Sequence, residues 1–122
     1  MKEYRYFTKT FTRSAGTATG TYTEQIVFPN GYQIVEGCNL YEITTGSSSY
    51  YRVGLKTEGG VYIQELTHKN DWICSTAVNP SERYKPLNIN SNSVYTLEVF
   101  FPENLSGTPL TFDLAFIISK EF

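Results

Sequence analysis

The C-terminal part of the chain contains two runs in which apolar and polar side chains alternate with a period of two. Between residues 110 and 119 the even positions are Leu, Phe, Leu, Phe and Ile, and the odd positions include Thr, Asp, Ala and Ser. The run before it alternates in the same way, and its apolar side consists of Tyr95, Leu97, Val99 and Phe101. This period is typical of strands that bury one face in a core. We therefore predict two long strands, joined by one short connection as a hairpin.

Shorter stretches with strand-like patterns fill most of the remaining chain. They run from Tyr4 to Arg13, Thr21 to Phe28, Tyr32 to Ile43, Tyr51 to Lys56, Val61 to Leu66 and Leu87 to Asn90. Residues 29–31, Pro-Asn-Gly, are typical of a turn, and residues 58–60, Glu-Gly-Gly, are typical of a hairpin. Gly37 interrupts the third stretch, which indicates a bulge or a bend.

The alternation lapses between residues 67 and 85, where a helical turn in residues 68–74 would be followed by a long loop. Such a long connection is typical of a crossover between two sheets. With about eight strands separated by turn signals, the chain is predicted to be all-β, a two-sheet antiparallel β-sandwich. Because an up-and-down barrel needs only short turns, the long connection favours a jelly roll.

Composition and charge narrow the class of protein further. A length of 122 residues predicts a single β-sandwich domain spanning 1–122. The net charge is −2, and the ten Lys and Arg residues are scattered along the chain, which argues against nucleic acid as a partner. No apolar run is long enough for a membrane span, and the N-terminus lacks the apolar segment of a signal peptide. We therefore expect no membrane association, and thiols that stay reduced at Cys38 and Cys74.

Residues with catalytic or metal-binding chemistry are sparse. His68 is the single histidine, and no Gly-x-Ser-x-Gly motif accompanies it, so a catalytic triad is not indicated. His68, Asp71 and Cys74 are spaced three residues apart, but zinc needs four ligands or three and a water. We predict no catalytic residue, no metal site, no cofactor and no enzymatic activity.

Aromatic residues are the strongest candidates for binding, since they make up 16% of the chain. Tyr50, Trp72 and Tyr84 lie near the central hairpin and the long connection, where they suggest either a subunit contact or a sugar contact. The first strand places Phe7 and Phe11 at the same alternate positions as several cations. A mixed face of this kind suggests an edge strand, and we expect it to dock on a neighbouring subunit.

In its strand pattern, its Thr-rich and aromatic composition, its lack of catalytic groups and its start methionine without a signal, the chain resembles the small jelly-roll virion proteins of tailed bacteriophages. These are the capsid decoration or auxiliary proteins and the fibre-head modules, and the resemblance spans the whole chain. It implies a structural protein of the virion, assembled in the host cytoplasm, that forms homo-oligomers, commonly trimers, and binds other virion proteins. The alternative is a carbohydrate-binding module or lectin-like domain that binds a glycan through exposed Tyr and Trp side chains.

Overall fold

The computed structural model describes residues 1–46, 50–73 and 84–121. Within them, nearly all regular structure is strand, and one short 3-10 turn lies at Lys69–Asp71. The strands are β1 (Lys2–Arg13), β2 (Gly20–Val27), β3 (Ile34–Thr45), β4 (Arg52–Thr57), β5 (Tyr62–His68), β6 (Lys85–Asn90), β7 (Val94–Phe101) and β8 (Leu110–Glu121).

The strands form two antiparallel sheets of four strands each, which confirms the predicted β-sandwich. Sheet I has the order β1-β8-β3-β6, and sheet II has the order β2-β7-β4-β5. The first strand pairs with the last, the second with the seventh, the third with the sixth and the fourth with the fifth. The chain is thus one long hairpin, with its tip between β4 and β5, rolled up into two sheets. This arrangement is a jelly roll.

The prediction that β7 and β8 form a hairpin is wrong. β7 pairs with β2 and β4 in sheet II, whereas β8 pairs with β1 and β3 in sheet I. The connection of residues 102–109 therefore crosses from one sheet to the other, and its side chain Leu105 is buried in the core. Each strand has one fully apolar face, and the two faces bury each other across the sandwich instead of lying side by side.

The core consists of the apolar sides of both sheets, as the alternation predicted. β8 contributes five of its even-numbered residues, all buried: Leu110, Phe112, Leu114, Phe116 and Ile118. β7 faces them with Tyr95, Leu97, Val99 and Phe101, also buried. The Phe112 ring stacks between Phe11 and Tyr51, with ring centroids 5.2 and 5.4 Å away. A one-residue slip of β8 would expose this whole wall, so its register is strongly specified.

The long connection predicted after residue 67 does cross between the sheets, because β5 belongs to sheet II and β6 to sheet I. The predicted helical turn is present as the 3-10 turn, whose first backbone N–H groups are capped by His68: its Nδ1 accepts from Asn70 N at 3.1 Å. Cys38 is buried in the core, as expected of a structural thiol. Cys74 lies outside the described residues.

Candidate interaction surfaces

The outer face of sheet I is rich in tyrosine. Even-numbered side chains of β1 and odd-numbered side chains of β8 point away from the core, as their burial pattern and pairing show. We call this surface the tyrosine face. It comprises Tyr4, Tyr6, Thr8, Thr10 and Thr12 of β1, Thr111, Asp113, Ala115 and Ile117 of β8, Tyr41 of β3, and Tyr84 just before β6.

Three tyrosines of this face are more than half exposed: Tyr4 at 60%, Tyr6 at 66% and Tyr41 at 52%. Tyr84 is half-buried, and its ring packs against Gly37 of β3, where a Cβ atom would overlap it. Gly37 and Tyr6 pair with Ile117 from its two sides. An apolar row therefore crosses three strands from the Tyr6 ring to the Tyr84 ring.

The tyrosine face is nearly uncharged. Between Tyr4 and Thr12 on β1 and between Thr111 and Ser119 on β8, Asp113 is the one charged residue among the outward positions. Its Oδ1 accepts a hydrogen bond from Thr10 Oγ1 at 2.6 Å, and the hydroxyls of Thr12 and Thr111 lie 2.9 Å apart. Depletion of charge together with enrichment of aromatic residues is typical of the centre of protein–protein interfaces.

A polar clamp at one end of β1 holds the tyrosine face in register. Glu36 Oε1 accepts hydrogen bonds from Ser119 Oγ at 2.8 Å and from Lys2 Nζ at 3.1 Å. The hydrogen bond from Ser119 is the main reason that the pKa of Glu36 is lowered, although partial burial acts against it; Lys2 adds to the lowering. The clamp ties β1, β8 and β3 together beside Tyr4.

One edge strand of sheet I is β1, and its inward positions carry charge. Arg5, Lys9 and Arg13 alternate with the phenylalanines of this strand. Arg13 packs over the Phe11 ring at 4.5 Å from its centroid and pairs with Glu24 at 3.6 Å. Inward-pointing charges protect an edge from the addition of another strand. The β1 edge is therefore poorly suited to the addition of another strand.

The outer face of sheet II has a different character, with a buried carboxylate at its centre. Glu98 of β7 is only 6% exposed, and its oxygens accept hydrogen bonds from Lys56 Nζ at 2.9 Å and Tyr62 Oη at 2.5 Å. Burial by itself raises the pKa of Glu98, but the two hydrogen bonds and the positive charge of Lys56 outweigh it and lower the pKa. The charge of Glu98 is thus satisfied within the chain.

Tyr50 lies near the outer face of sheet II, on the opposite side of the molecule from the tyrosine face. Its ring stacks on His68, with centroids 5.7 Å apart, and the Arg52 guanidinium lies 5.7 Å from the Tyr50 centroid. Tyr50 thus packs on the ring of His68, the residue whose Nδ1 caps the 3-10 turn. Tyr50 therefore helps to hold the β3–β4 connection against the end of β5.

Two of the predicted interface residues are buried in the core, so the prediction for them is corrected. Phe11 is 0% and Trp72 is 1% exposed, and Trp72 Nε1 donates to Val53 O at 3.0 Å and to Thr67 Oγ1 at 3.2 Å. Phe7 is half-buried against Phe28. Phe7 and Phe11 of β1 point inward because they lie on the same side of sheet I as the buried residues of β8.

The structure brings Tyr84 together with three tyrosines that the sequence analysis did not select, Tyr4, Tyr6 and Tyr41. Tyr4 and Tyr6 alternate with Arg5 and Phe7, so the same period that predicted β1 also separates them onto the other side of the strand. The pattern does not show that the side of β1 with Tyr4 and Tyr6 faces outward, next to β8.

A further polar cluster lies between the sheets, near the β3–β4 connection. Glu42 Oε1 accepts a hydrogen bond from Lys69 Nζ at 2.7 Å, while Glu42 Oε2 and Tyr51 Oη are buried and have no hydrogen-bond partner among the described residues. Burial raises the pKa of Tyr51, and the nearby charge of Glu42 raises it further. The hydroxyl of Tyr51 is therefore neutral. It forms no hydrogen bond with a described residue that would offset the free-energy cost of its burial.

Among the described residues, no three His, Cys, Asp or Glu side chains are grouped so that they could hold a metal ion. No helix in the described ranges has the length and apolar character needed to cross a membrane. No protein-family model matches the chain, and no curated protein matches it.

Proposed function

We propose that this protein is a non-enzymatic structural protein of a virion, a capsid decoration or auxiliary protein or a fibre module, that acts through protein–protein assembly. The observation that carries the proposal is the tyrosine face: an uncharged, aromatic sheet surface on a jelly roll whose neighbouring edge carries inward-pointing charges. We assign this face to contact with another protein of the particle, in a virion assembled in the host cytoplasm.

The size of the tyrosine face supports this role. β1, β8 and β3 are 12 residues long and lie side by side, so they present a surface of about 40 by 14 Å, or roughly 500 Å². Covering it from both partners removes about 1,000 Å² from water, which is the lower limit for a specific interface. Linking several copies in one oligomer strengthens contacts of this size, because each further contact to the shell then forms intramolecularly.

The proposal is tested by deleting the gene from the virus that carries it and examining purified particles by mass spectrometry and cryo-electron microscopy. The protein is expected in wild-type particles, and complementation with a Tyr6→Ser/Tyr41→Ser variant is expected to leave the particles without it. The matched control is Val27→Ser, which removes an exposed apolar side chain from sheet II and should be incorporated normally. Wild-type particles that lack the protein, or normal incorporation of the double variant, would refute the assignment.

A second candidate function is carbohydrate binding, which one feature of the same face favours. Exposed tyrosine rings stack on sugars, and the Thr10–Asp113 pair offers a hydroxyl and a carboxylate in the same row as Tyr41. A glycan array with the purified protein separates the two functions. Saturable binding of an oligosaccharide that is lost in Tyr41→Ser supports the glycan reading, and an array without binding leaves the protein contact.

A further inference from the structure

The two lateral sides of the sandwich carry unpaired charges of opposite sign. β1 and β2 form one side, and β5 and β6 form the other, because these strands are the edges of the two sheets. On the first side, Arg5 and Lys9 of β1 form no salt bridge within the described part of the chain. Arg5 instead lies over the Tyr32 ring, 6.0 Å from its centroid. We call Arg5 and Lys9 the basic side.

The opposite side carries three acids that also form no salt bridge with any described residue. Glu58 is exposed in the β4–β5 turn, Glu65 is exposed on β5, and Asp71 is exposed in the 3-10 turn. One cation on this side, Lys85 of β6, also forms no salt bridge with a described residue and lies over the Trp72 ring, 5.5 Å from its centroid. The three acids still outnumber it. We call Glu58, Glu65 and Asp71 the acidic side.

This segregation contrasts with most other charged side chains of the described residues, which form salt bridges within the chain. Among the described residues, five side-chain salt bridges join different strands or connections: Lys2–Glu36, Glu3–Lys120, Arg13–Glu24, Lys56–Glu98 and Lys69–Glu42. The basic and acidic sides cannot neutralise each other in one copy, because a sheet of four strands separates them by about 15 Å. Each side is therefore a charged surface that a second molecule can complement.

We infer that the acidic side of one copy docks on the basic side of the next, so that the chain assembles head to tail with itself. Arg5 and Lys9 are four residues apart on a strand, or about 13 Å, and Glu65 lies three residues beyond Tyr62, where the turn that contains Glu58 ends. Glu58 lies two residues beyond Lys56, the pairing partner of Tyr62, so Glu58 and Glu65 are about 16 Å apart along the strand direction. The two charged pairs therefore have similar spacing. Because opposite sides are used, the contact is heterologous, and a heterologous contact forms a ring when its rotation closes. We expect a closed ring, such as the trimer that the resemblance to auxiliary virion proteins implies.

This inference rests on the proposed function in one respect: the ring would be the form in which the proposed virion protein assembles. The tyrosine face remains free for the shell in each copy, since it lies on the outer face of sheet I and not on a lateral side. Failure of one contact leaves the other intact. The two are therefore tested separately, the ring on the purified protein alone and the shell contact on particles.

The experiment measures the mass of the purified full-length protein by analytical ultracentrifugation over a range of concentrations. We expect a ring at low salt. Its mass should fall toward that of the monomer between about 0.05 and 0.5 M salt, because salt screens the charges. Lys9→Glu or Glu65→Lys should each raise the dissociation constant at least about tenfold. Combining both substitutions in one chain restores opposite charges at each contact, so assembly is expected to return to within about threefold of wild type.

The matched control is Arg52→Glu, which reverses an exposed cation on the face of sheet II and should leave the mass unchanged. Circular dichroism of each variant checks the fold. The Lys9→Glu/Glu65→Lys double variant is expected to regain assembly, a result that misfolding cannot produce. A monomer at every concentration overturns the inference, as does an oligomer unaffected by either single substitution. A closed dimer also overturns it, because two opposite sides cannot both meet the same partner.

Discussion

The outer faces of the two sheets are both built from strands with alternating side chains, but they differ in how their carboxylates are buried and hydrogen-bonded. On sheet II, Glu98 is almost completely covered and receives hydrogen bonds from Lys56 and Tyr62. On the tyrosine face, Asp113 is half-buried and receives a single described hydrogen bond, from Thr10. On sheet II, the polar groups form hydrogen bonds that join neighbouring strands. On the tyrosine face, the largest side chains are exposed to solvent.

The difference shows which face contributes to stability and which is available for binding. A buried carboxylate with two donors is costly to disturb, because removal of one partner leaves the others unsatisfied. An exposed tyrosine ring contributes little to the folded state but buries much area when a partner covers it. Substitutions on sheet II are therefore expected to change the free energy of unfolding, and substitutions on the tyrosine face are expected to change binding.

The largest effect is expected from Gly37→Ala, which alters the support of the tyrosine face and not its exposed surface. A Cβ atom at this position would overlap the Tyr84 ring and the Lys85 carbonyl oxygen. Because backbone is involved, β6 has to shift, and we expect a loss of about 3 kcal/mol in the free energy of unfolding. Urea denaturation measures it, and Gly59→Ala, which has room for a methyl group, serves as the control. Equal midpoints for the two variants would contradict the packing described for Tyr84.

A second test compares the carboxylates of the two faces directly. Glu98→Ala leaves Lys56 and Tyr62 without their acceptor and is expected to cost about 2 kcal/mol. Asp113→Ala removes a carboxylate with one described hydrogen bond and should stay within about 0.5 kcal/mol of wild type. The same urea titration serves both variants. A cost for Asp113→Ala that matches or exceeds that of Glu98→Ala would abolish the distinction between the faces.

The pH dependence of stability provides a third test. The pKa of Glu98 is lowered from 4.5 in the folded chain, so the unfolded chain takes up a proton first as the pH falls. The stabilisation from this group is complete above about pH 6 and is lost as the pH falls through 4.5 toward the folded pKa. Between pH 7 and pH 4, Glu98→Gln should therefore lose less stability than wild type does. Glu58→Gln, in an exposed turn, should follow the wild-type curve, and parallel curves for all three proteins would exclude the role given to Glu98.

The smallest effect separates tyrosine hydroxyls on the two faces. Tyr62→Phe removes a donor to the buried Glu98 carboxylate and is expected to lower the denaturation midpoint measurably. Tyr6→Phe removes a hydroxyl from a side chain that is 66% exposed, and its midpoint should match wild type. If Tyr6→Phe were the more destabilising of the pair, the tyrosine face would have a structural role that its exposure does not indicate.

The comparison also shows where sequence reasoning succeeded and where it failed. The wall of β8, the β4–β5 hairpin and the crossover after β5 were all predicted, because each depends on local alternation, a turn signal or a break in the pattern. The five candidate interface residues were chosen for their aromatic character, and that character is shared by core and surface. Phe11 and Trp72 proved to be core residues, while Tyr4 and Tyr6 were not selected.

The amino-acid sequence by itself determined that the chain is all-β, where most strands lie and which side of β7 and β8 is apolar, because a period of two is set by the backbone of each strand. Only the tertiary structure decided that β7 and β8 face each other across the core, and that the charges of β1 and β5 lie on opposite sides. The physical reason is that alternation orients a side chain relative to its own strand. It carries no information about which strand becomes the neighbour, since that choice depends on how all eight strands share one core.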